Sequence, residues 1–189
     1  MTPAAAHLDL RALGAEAFPH IAGSLATHLE RTEAWLRRFG AREALCSAGR
    51  HHAIYGTAGI HGALVPLSQR HAVAQALGDE AERIVYRFAA CDRDRFHPRI
   101  GGADECLFAD RFAAREERIA VRELRDFCEL TLANELDLVA TSPAFRRKHR
   151  EVPPGTWKRT GVKSAANCAA CHPRADTGDF DDDSVRIPR

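Results

Sequence analysis

The sequence predicts an all-α protein, in which a helical bundle is followed by a short segment rich in loops. Apolar residues recur at the spacing of amphipathic helices through most of residues 1–140. No segment shows the strict apolar alternation of a convincing strand. The chain of 189 residues fits one domain, or one domain with an appendage, and is long enough to bury a hydrophobic core.

Residues 24–40 and 41–57 give the clearest helix predictions. The segment SLATHLERTEAWLRRFG begins with a capping serine and ends with a terminating glycine. Its inward face is predicted to consist of Leu25, Leu29, Thr32, Leu36 and Phe39. The segment AREALCSAGRHHAIYGT predicts a second helix that stops at Gly56. The inward stripe of this second helix is predicted to consist of Leu45, Ala48, Gly49 and His52.

Three further helices are predicted before residue 141. Two short ones, SQRHAVAQAL and DEAERIVYRFAA, are divided by Gly78. After a loop with glycine and proline at residues 97–103, a long helix is predicted from about Phe112 to Ala140. Its buried positions are predicted to be Val121, Leu124, Cys128, Leu132, Leu136 and Val139.

The composition changes near residue 141, where TSPAFRRKHREVPPGTW brings three prolines around a short basic segment. Residues 142–189 contain ten basic and six acidic side chains, whereas the preceding part contains 17 basic and 20 acidic ones. The C-terminal piece also has few apolar residues. We therefore predict a helical domain at residues 1–140 and a separate, loop-rich segment at residues 141–189.

The overall charge is almost balanced, with 27 basic and 26 acidic residues. A general nucleic-acid binder has a broad positive surface, so nucleic acid is not an expected partner. No stretch reaches the roughly 20 apolar residues of a membrane span, and the first residues lack the pattern of a signal peptide. As written, the sequence predicts a cytoplasmic protein, whereas a true start that adds a leader predicts a periplasmic one. The oligomeric state stays open.

Six cysteines are present, and two of them have a spacing that implies chemistry. Cys168 and Cys171 belong to the pentapeptide CAACH, which ends at His172. Such a pentapeptide can hold a haem by two thioether bonds, with its histidine as an axial iron ligand. In a cytosolic chain the same residues can instead form half of a zinc site or a redox pair. The other four are expected to be small buried hydrophobes: Cys46, Cys91, Cys106 and Cys128.

Two histidines of the helical domain fall on inward faces. His28 lies on the apolar face of its helix, and His52 lies on the inward stripe of the next helix. Two such histidines can converge on one iron, manganese or zinc ion, although a satisfied core histidine is the commoner case. His51 is turned by about 100° from His52, towards solvent or a groove. Periodicity places none of three candidate acids on the long helix clearly inside: Glu129, Glu135 and Asp137.

Residues 7–140 resemble an uncharacterised bacterial family whose helices resemble the His-Asp metal-dependent phosphohydrolase (HD) superfamily. The resemblance is carried by GRHHAIYGTAGI and by PLSQRHAVAQALGDEAERIVYRFAACD. It implies a helical bundle in which metal activates water, with His28 as the first ligand and His52 as the histidine of the His-Asp pair. Ala53 stands where that pair has its aspartate. We therefore expect at most one metal and weak or absent phosphodiesterase activity.

Residues 142–189 closely resemble the C-terminal half of bacterial dihaem cytochrome c. The resemblance is continuous over SPAFRRKHREVPPGTWKRTGVKSAANCAACHPRADTGDFDDDSVRIPR. It implies a covalent haem c at Cys168 and Cys171, with His172 as the proximal ligand and His149 as the second axial ligand. The family carries two haem motifs, whereas this chain has one. The residues implied to cover the porphyrin edge are Trp157, Val162 and Phe180.

The leading functional expectation is single-electron transfer through a bis-histidine c-type haem, with another protein as redox partner. The second is a cytoplasmic, HD-like metal-binding enzyme or ligand-binding module. Its tail then carries no haem, or holds zinc through Cys168 and Cys171 with His172 or His149. Whether the chain is an enzyme stays open at this level.

Overall fold

The computed structural model describes residues 8–20, 23–57, 62–162, 167–175 and 180–188. The chain divides into two compact units, Met1–Asp137 and Leu138–Arg189. In the described ranges there are seven α-helices and two small antiparallel sheets. The fold is therefore predominantly helical, as predicted, but it is not purely all-α.

The first two helices form a closely packed pair. α1 runs over Leu25–Phe39 and α2 over Glu43–His51. Ser24 caps α1, because its hydroxyl oxygen accepts a hydrogen bond from the backbone N–H of Thr27 at 3.3 Å. Gly40 ends α1 in the left-handed conformation, with a φ of 77° that favours glycine.

The inward faces predicted for α1 and α2 are largely correct. On α1 the buried residues include Leu25, Leu29, Thr32 and Leu36. Phe39, in the last turn, is instead 41% exposed. On α2 and at its C-terminal cap, all four predicted residues are buried: Leu45, Ala48, Gly49 and His52. α2 itself ends at His51, before the predicted stop at Gly56.

The following helices complete the packing of the first unit. α3 (Arg70–Leu77) and α4 (Asp79–Ala90) are separated by Gly78, as predicted. α4 packs against both α2 and α3. A short helix, α5 (Arg93–Phe96), comes next. Two 3₁₀ turns flank these helices, at Leu67–Gln69 and His97–Arg99.

Two small sheets correct the prediction that the chain contains no strand. β1 (Pro19–His20) pairs with β2 (Gly23–Ser24), and β3 (Leu107–Asp110) pairs with β4 (Arg115–Arg118), both antiparallel. β4 has the sequence REER, so it lacks the apolar alternation by which a strand is recognised.

The side chain of Asp110 stabilises the turn of the second hairpin, so the long helix begins later in the sequence than predicted. Its Oδ1 accepts hydrogen bonds from the N–H groups of Phe112 and Ala113, each at 2.9 Å. Its Oδ2 accepts a hydrogen bond from the Tyr86 hydroxyl at 2.9 Å. Side-chain bonds of this kind reverse the chain locally. The long helix, α6, therefore spans Val121–Thr141 and does not begin near Phe112.

α6 buries a face that differs from the predicted one at most positions, although Leu124 is buried as predicted. Val121, Leu132 and Val139 were expected inside, but they are 51%, 52% and 49% exposed. The buried residues are Leu124, Asp126, Phe127, Leu130, Ala133, Asn134 and Asp137. Because three of these seven are polar, a search for apolar residues alone selects the wrong stripe.

The core of the first unit is apolar and rich in aromatic contacts. The ring of Phe127 lies 6.0 Å from that of Phe88, 5.3 Å from Phe96 and 6.4 Å from Phe108, measured between centroids. Of the four isolated cysteines, Cys46 and Cys91 are fully buried. The other two, Cys106 and Cys128, are half-buried. None of the helices in the described part of the chain has the length and hydrophobicity needed to cross a membrane.

The second unit contains little regular structure. α7 spans Pro143–His149 and is capped by Ser142, whose hydroxyl oxygen accepts the N–H of Phe145 at 3.1 Å. Three 3₁₀ turns are described after it: Pro154–Lys158, Cys168–Ala170 and Asp182–Ser184. Among the described residues of this unit, three are buried: Thr156, Val162 and His172.

Gly49 allows α1 and α2 to approach closely, since a Cβ at this position would overlap the side chain of Leu36. Leu36 is fully buried, so it cannot move aside without disturbing the core. We expect Gly49→Ala to lower the free energy of unfolding by about 1–3 kcal/mol through overpacking, despite the better helix propensity of alanine. Urea denaturation of the full chain, followed by circular dichroism, measures the change.

A double-mutant cycle provides the control. Leu36→Val shortens the side chain that the new methyl group meets, so Gly49→Ala and Leu36→Val together should cost less than the sum of their separate effects. An unchanged stability in the Gly49→Ala variant would contradict the close approach of the two helices.

Candidate functional site

A cavity in the second unit is lined by all four residues that the sequence predicts to hold a haem. Its volume is about 680 Å³, and its lining includes Cys168, Cys171, His149 and His172. The volume is within the range of about 300–1,000 Å³ that is usual for ligand and cofactor sites. The apolar part of the lining includes Phe145, Val152, Trp157, Phe180, Val185 and Ile187.

The rings of His149 and His172 have the spacing of two ligands to one metal atom. Their centroids are 6.1 Å apart and their planes meet at 66°. A metal bound by one nitrogen of each ring gives a separation of about 6 Å, because each bond is about 2.0 Å long and each nitrogen lies about 1.1 Å from its ring centre. The distance between the two rings therefore equals the one expected when both bind the same metal atom from opposite sides.

Hydrogen bonding leaves one nitrogen of His149 for a metal. Its Nδ1 donates to the carbonyl oxygen of Phe145 at 2.9 Å, one turn earlier in α7. A neutral imidazole has one N–H and one lone pair, so this bond directs the lone pair to Nε2. The ring of Phe145 also stacks on that of His149, with centroids 4.0 Å apart and an interplanar angle of 17°. Phe145 thus orients His149 through both its backbone and its side chain.

His172 is held at the end of the CAACH turn. Its backbone N–H donates to the carbonyl oxygen of Cys168 at 2.8 Å, and its ring contacts that of Phe180 edge-on, with centroids 5.4 Å apart. The side chain is 9% exposed, and its Nδ1 is buried without a hydrogen-bond partner. Such an unpartnered buried nitrogen is costly. A bound ligand or water that accepts or donates a hydrogen bond there would remove this cost.

Cys168 and Cys171 are both half-buried, and neither thiol is part of a disulfide. The N–H of Cys171 donates to the carbonyl oxygen of Cys168 at 3.1 Å within the 3₁₀ turn. Burial raises the pKa of the Cys171 thiol, and the neighbouring Cys168 adds to the rise. This direction is opposite to the lowered pKa of the reactive thiolates in dithiol oxidoreductases.

The C-terminal residues 180–188 are attached to both sides of the cavity. The N–H of Arg186 donates to the carbonyl oxygen of Cys171 at 2.8 Å. Lys148 of α7 forms an ion pair with Asp182, and its ammonium group lowers the pKa of that carboxyl. The acidic run at residues 181–183 therefore connects the C-terminal residues to α7.

Some residues of the cavity lining were not found by sequence reasoning. Trp157 and Phe180 line the cavity, whereas Val162 is fully buried but is not part of the lining. The missed side chains include Phe145, Val185 and Ile187. Two signals were available for them: Phe145 precedes His149 by four residues, one helical turn, and the two aliphatic residues alternate in the segment SVRIP.

The first unit contains a second group of candidate residues, arranged around His28. Its Nδ1 lies 2.7 Å from Oδ2 of Asp137, and its Nε2 lies 3.0 Å from Oδ1 of Asn134. Arg31 donates to both carboxylate oxygens of Asp137, at 2.6 and 3.1 Å. The side chains of His28, Asn134 and Asp137 are all buried. This group is a buried hydrogen-bond and ion-pair network.

Both ring nitrogens of His28 face oxygen acceptors. The amide of Asn134 has its Oδ1 on this side because its Nδ2 donates to Glu135 at 3.0 Å. Both nitrogens of this ring are therefore engaged within the network. Burial alone would raise the pKa of Asp137, but the hydrogen bonds from His28 and Arg31 outweigh burial and keep that pKa below its ordinary value.

Two further histidines pack against the ring of His28. His20 stacks on it with centroids 4.2 Å apart, and His52 meets it edge-on at 5.2 Å. Nδ1 of His52 donates to the carbonyl oxygen of Gly49 at 2.7 Å. Burial lowers the pKa of His52 to about 3, and the charge of His28 adds to the shift. His52 is therefore neutral at neutral pH.

The described ranges contain no group of three His, Cys, Asp or Glu side chains arranged to hold a metal ion. The metal predicted at His28 and His52 thus has no third ligand there, and both nitrogens of His28 already form hydrogen bonds. The zinc site predicted at Cys168 and Cys171 with His172 or His149 is likewise not found as a three-ligand group in the described ranges. Both metal sites stay predictions.

Two expectations about the helical domain are wrong. His51 was expected to turn towards solvent or a groove, but it is 2% exposed. The reason is that α2 packs against both α1 and α4, and Nδ1 of His51 donates to the Ser47 carbonyl at 2.8 Å. Asp137, which periodicity did not place clearly inside, is 1% exposed because His28 and Arg31 compensate its charge.

Comparisons with known proteins give two family matches, each over less than half of the chain. Residues 9–93 match a family described as a domain of unknown function (DUF6817). Residues 113–180 match the family described as dihaem cytochrome c, so this part of the chain is similar to a cytochrome c. That match begins before the predicted boundary at residue 141 and ends at Phe180. The first match does not identify an HD domain, which stays a prediction. No curated protein and no solved structure matches the chain.

The network around His28 predicts a strong dependence of stability on Asp137. Asp137→Asn keeps the shape of the side chain but leaves the charge of Arg31 without its counter-ion and His28 without its carboxylate partner. We expect a loss of about 3–5 kcal/mol in the free energy of unfolding, as for other broken buried ion pairs. Urea denaturation of the full chain measures it. Glu129→Gln is the matched control, since this half-buried acid of α6 has no hydrogen bond or ion pair in the described structure.

The control should change stability by less than about 0.5 kcal/mol. Equal, small effects of the two substitutions would show that the buried network contributes little to the fold.

Proposed function

We propose that the second unit binds a covalent c-type haem with two histidine ligands and transfers single electrons. The observation that carries the proposal is the pair of His149 and His172, which has the spacing of two ligands to one iron atom in a cavity that also contains both CAACH thiols. The similarity of residues 113–180 to dihaem cytochrome c supports it. Iron with histidine on both faces supplies one-electron transfer and has no open position for activating oxygen.

Each residue of the proposed site has a distinct task. Cys168 and Cys171 would hold the haem covalently, and His172 and His149 would bind its iron. The hydrogen bond from Nδ1 of His149 to the Phe145 carbonyl fixes the ring orientation and raises the basicity of the ligating nitrogen. The apolar lining limits the access of water. Phe180 is 50% exposed, so one edge of the cavity lies near the protein surface, where an electron can enter or leave.

The redox partner that fits this site is a protein with an acidic surface. α7 has Arg146 and Arg147 on its exposed side, in the same short helix as His149. Exposed positive charge attracts acidic surfaces and raises their association rate. The comparisons identify no partner, so this statement belongs to the proposal.

The second candidate function is an HD-like metal-binding enzyme or ligand-binding module with a haem-free or zinc-binding tail. The family matched by residues 9–93 is a domain of unknown function, which names no activity. No three-ligand metal group is found in the part of the chain that the structure describes. The pair of His149 and His172, in one cavity with both CAACH thiols, supports the haem over this candidate. Because thioether attachment generally takes place outside the cytoplasm, the haem proposal implies a periplasmic protein, whereas the second candidate implies a cytoplasmic one.

The proposal predicts haem that survives denaturation. After expression with an export leader and cytochrome-maturation machinery, the denatured protein should retain its haem through extraction with acidified acetone, because thioether bonds resist both treatments. Replacing Cys168 and Cys171 with alanine should abolish this retention. The matched control replaces two half-buried cysteines, Cys106 and Cys128, and should keep the haem. An intact protein that never acquires haem, but binds about one zinc per chain through the CAACH cysteines, would overturn electron transfer.

His149 predicts a specific spectroscopic change in the haem-loaded protein. His149→Ala removes one of the two proposed axial ligands, so the variant should show a high-spin visible spectrum and bind carbon monoxide, whereas the unmodified protein should do neither. Arg146→Ala, in the same helix, is the control and should leave the spectrum unchanged. If the unmodified protein binds carbon monoxide as readily as the His149→Ala variant, His149 is not an axial ligand.

A further inference from the structure

We propose that α6 forms the contact between two copies of this chain, with the two helices antiparallel about a twofold axis. The proposal concerns a face of α6 that the first unit leaves exposed. It goes beyond the proposed electron transfer and does not depend on whether a haem is bound.

The exposed face of α6 has the residue spacing of a helix that pairs with another helix. Val121, Arg125, Cys128, Leu132 and Glu135 follow one another at alternating intervals of four and three residues. This spacing keeps the five side chains on one stripe of the helix, as in coiled coils. Val121 and Leu132 are 51% and 52% exposed. Apolar side chains repeated along one exposed stripe are typical of an interaction surface, whereas isolated ones need no explanation.

The order of residues along this stripe is complementary to itself when one helix is reversed. Positions 125 and 135 lie at equal distances from residue 130, and so do positions 128 and 132. An antiparallel pair centred on residue 130 therefore sets Arg125 against Glu135 of the second copy. It also sets Cys128 against Leu132 of the second copy. Twofold symmetry makes each of these contacts occur twice.

The two charged positions select the antiparallel arrangement. In the described structure Arg125 forms no ion pair, and Glu135 accepts a hydrogen bond from Asn134 but forms no ion pair either. A parallel pair would set Arg125 against Arg125 and Glu135 against Glu135, which like-charge repulsion disfavours. Charged positions in such a stripe weaken association but fix register and direction. The dimer should therefore be weak and dependent on concentration.

Cysteine cross-linking tests the register. Leu132→Cys introduces a thiol opposite Cys128 of the second copy, so mild oxidation of the full chain should give a reducible dimer. Arg122→Cys is the matched control, because this exposed residue lies on α6 outside the stripe. The CAACH thiols are common to the wild type and both variants, so a difference among the three proteins reports on α6. Equal cross-linking of the three proteins would overturn the proposed register.

A charge exchange tests the pairing without new cysteines. Arg125→Glu and Glu135→Arg each place like charges against one another, so each should raise the Kd of the dimer at least about fivefold. The two substitutions combined restore opposite charges and should restore the wild-type Kd, a rescue that misfolding cannot imitate. Sedimentation velocity of the full chain over a range of concentrations measures Kd. A wild-type chain that stays monomeric throughout, or a double variant without rescue, would overturn the proposal.

Discussion

One buried carboxylate, that of Asp137, determines how the long helix packs in the first unit. It contacts His28 and Arg31, which lie 109 and 106 residues earlier in the chain, on α1. A buried charge without partners costs several kcal/mol, whereas a bidentate arginine and an imidazole nitrogen satisfy both carboxylate oxygens. The network therefore fixes the polar face of α6 against α1. Val121 and Leu132 remain exposed as a consequence.

The second unit is organised differently, because its apolar side chains surround a cavity. Its described residues include three buried ones, so little apolar surface is removed from water to offset the entropy of ordering the chain. A cavity of about 680 Å³ also forfeits the contacts that a packed interior would make. The proposed haem fills that space, and its binding free energy adds to the stability of the folded unit. Cofactor binding and folding are then coupled in this unit.

Sequence periodicity predicted α1 and α2 because their inward faces are mainly apolar. It failed on α6 because three of seven inward residues are polar, and on β4 because that strand consists of charged residues. On α6, bonds between distant segments decide which face is buried, and no local pattern contains them. β4 instead pairs with the neighbouring strand β3 and buries none of its residues. Cys168, Cys171 and His172 were accessible to sequence reasoning because they form one motif, and His149 was accessible through the resemblance to dihaem cytochrome c. The partners of His28 were not, because Asn134 and Asp137 follow it by more than a hundred residues.

Two pairs of histidines lie close together in this protein, and their hydrogen bonds distinguish them. The ring centroids of His28 and His52 are 5.2 Å apart, and those of His149 and His172 are 6.1 Å apart. The distance between the rings alone therefore does not distinguish the roles of the two pairs. Both ring nitrogens of His28 already form hydrogen bonds to buried side-chain oxygens, so neither is available to a metal. His149 donates from one nitrogen only, to its own helix, and retains the other lone pair. Since a metal ligand needs a lone pair, this difference supports a structural role for His28 and a ligand role for His149.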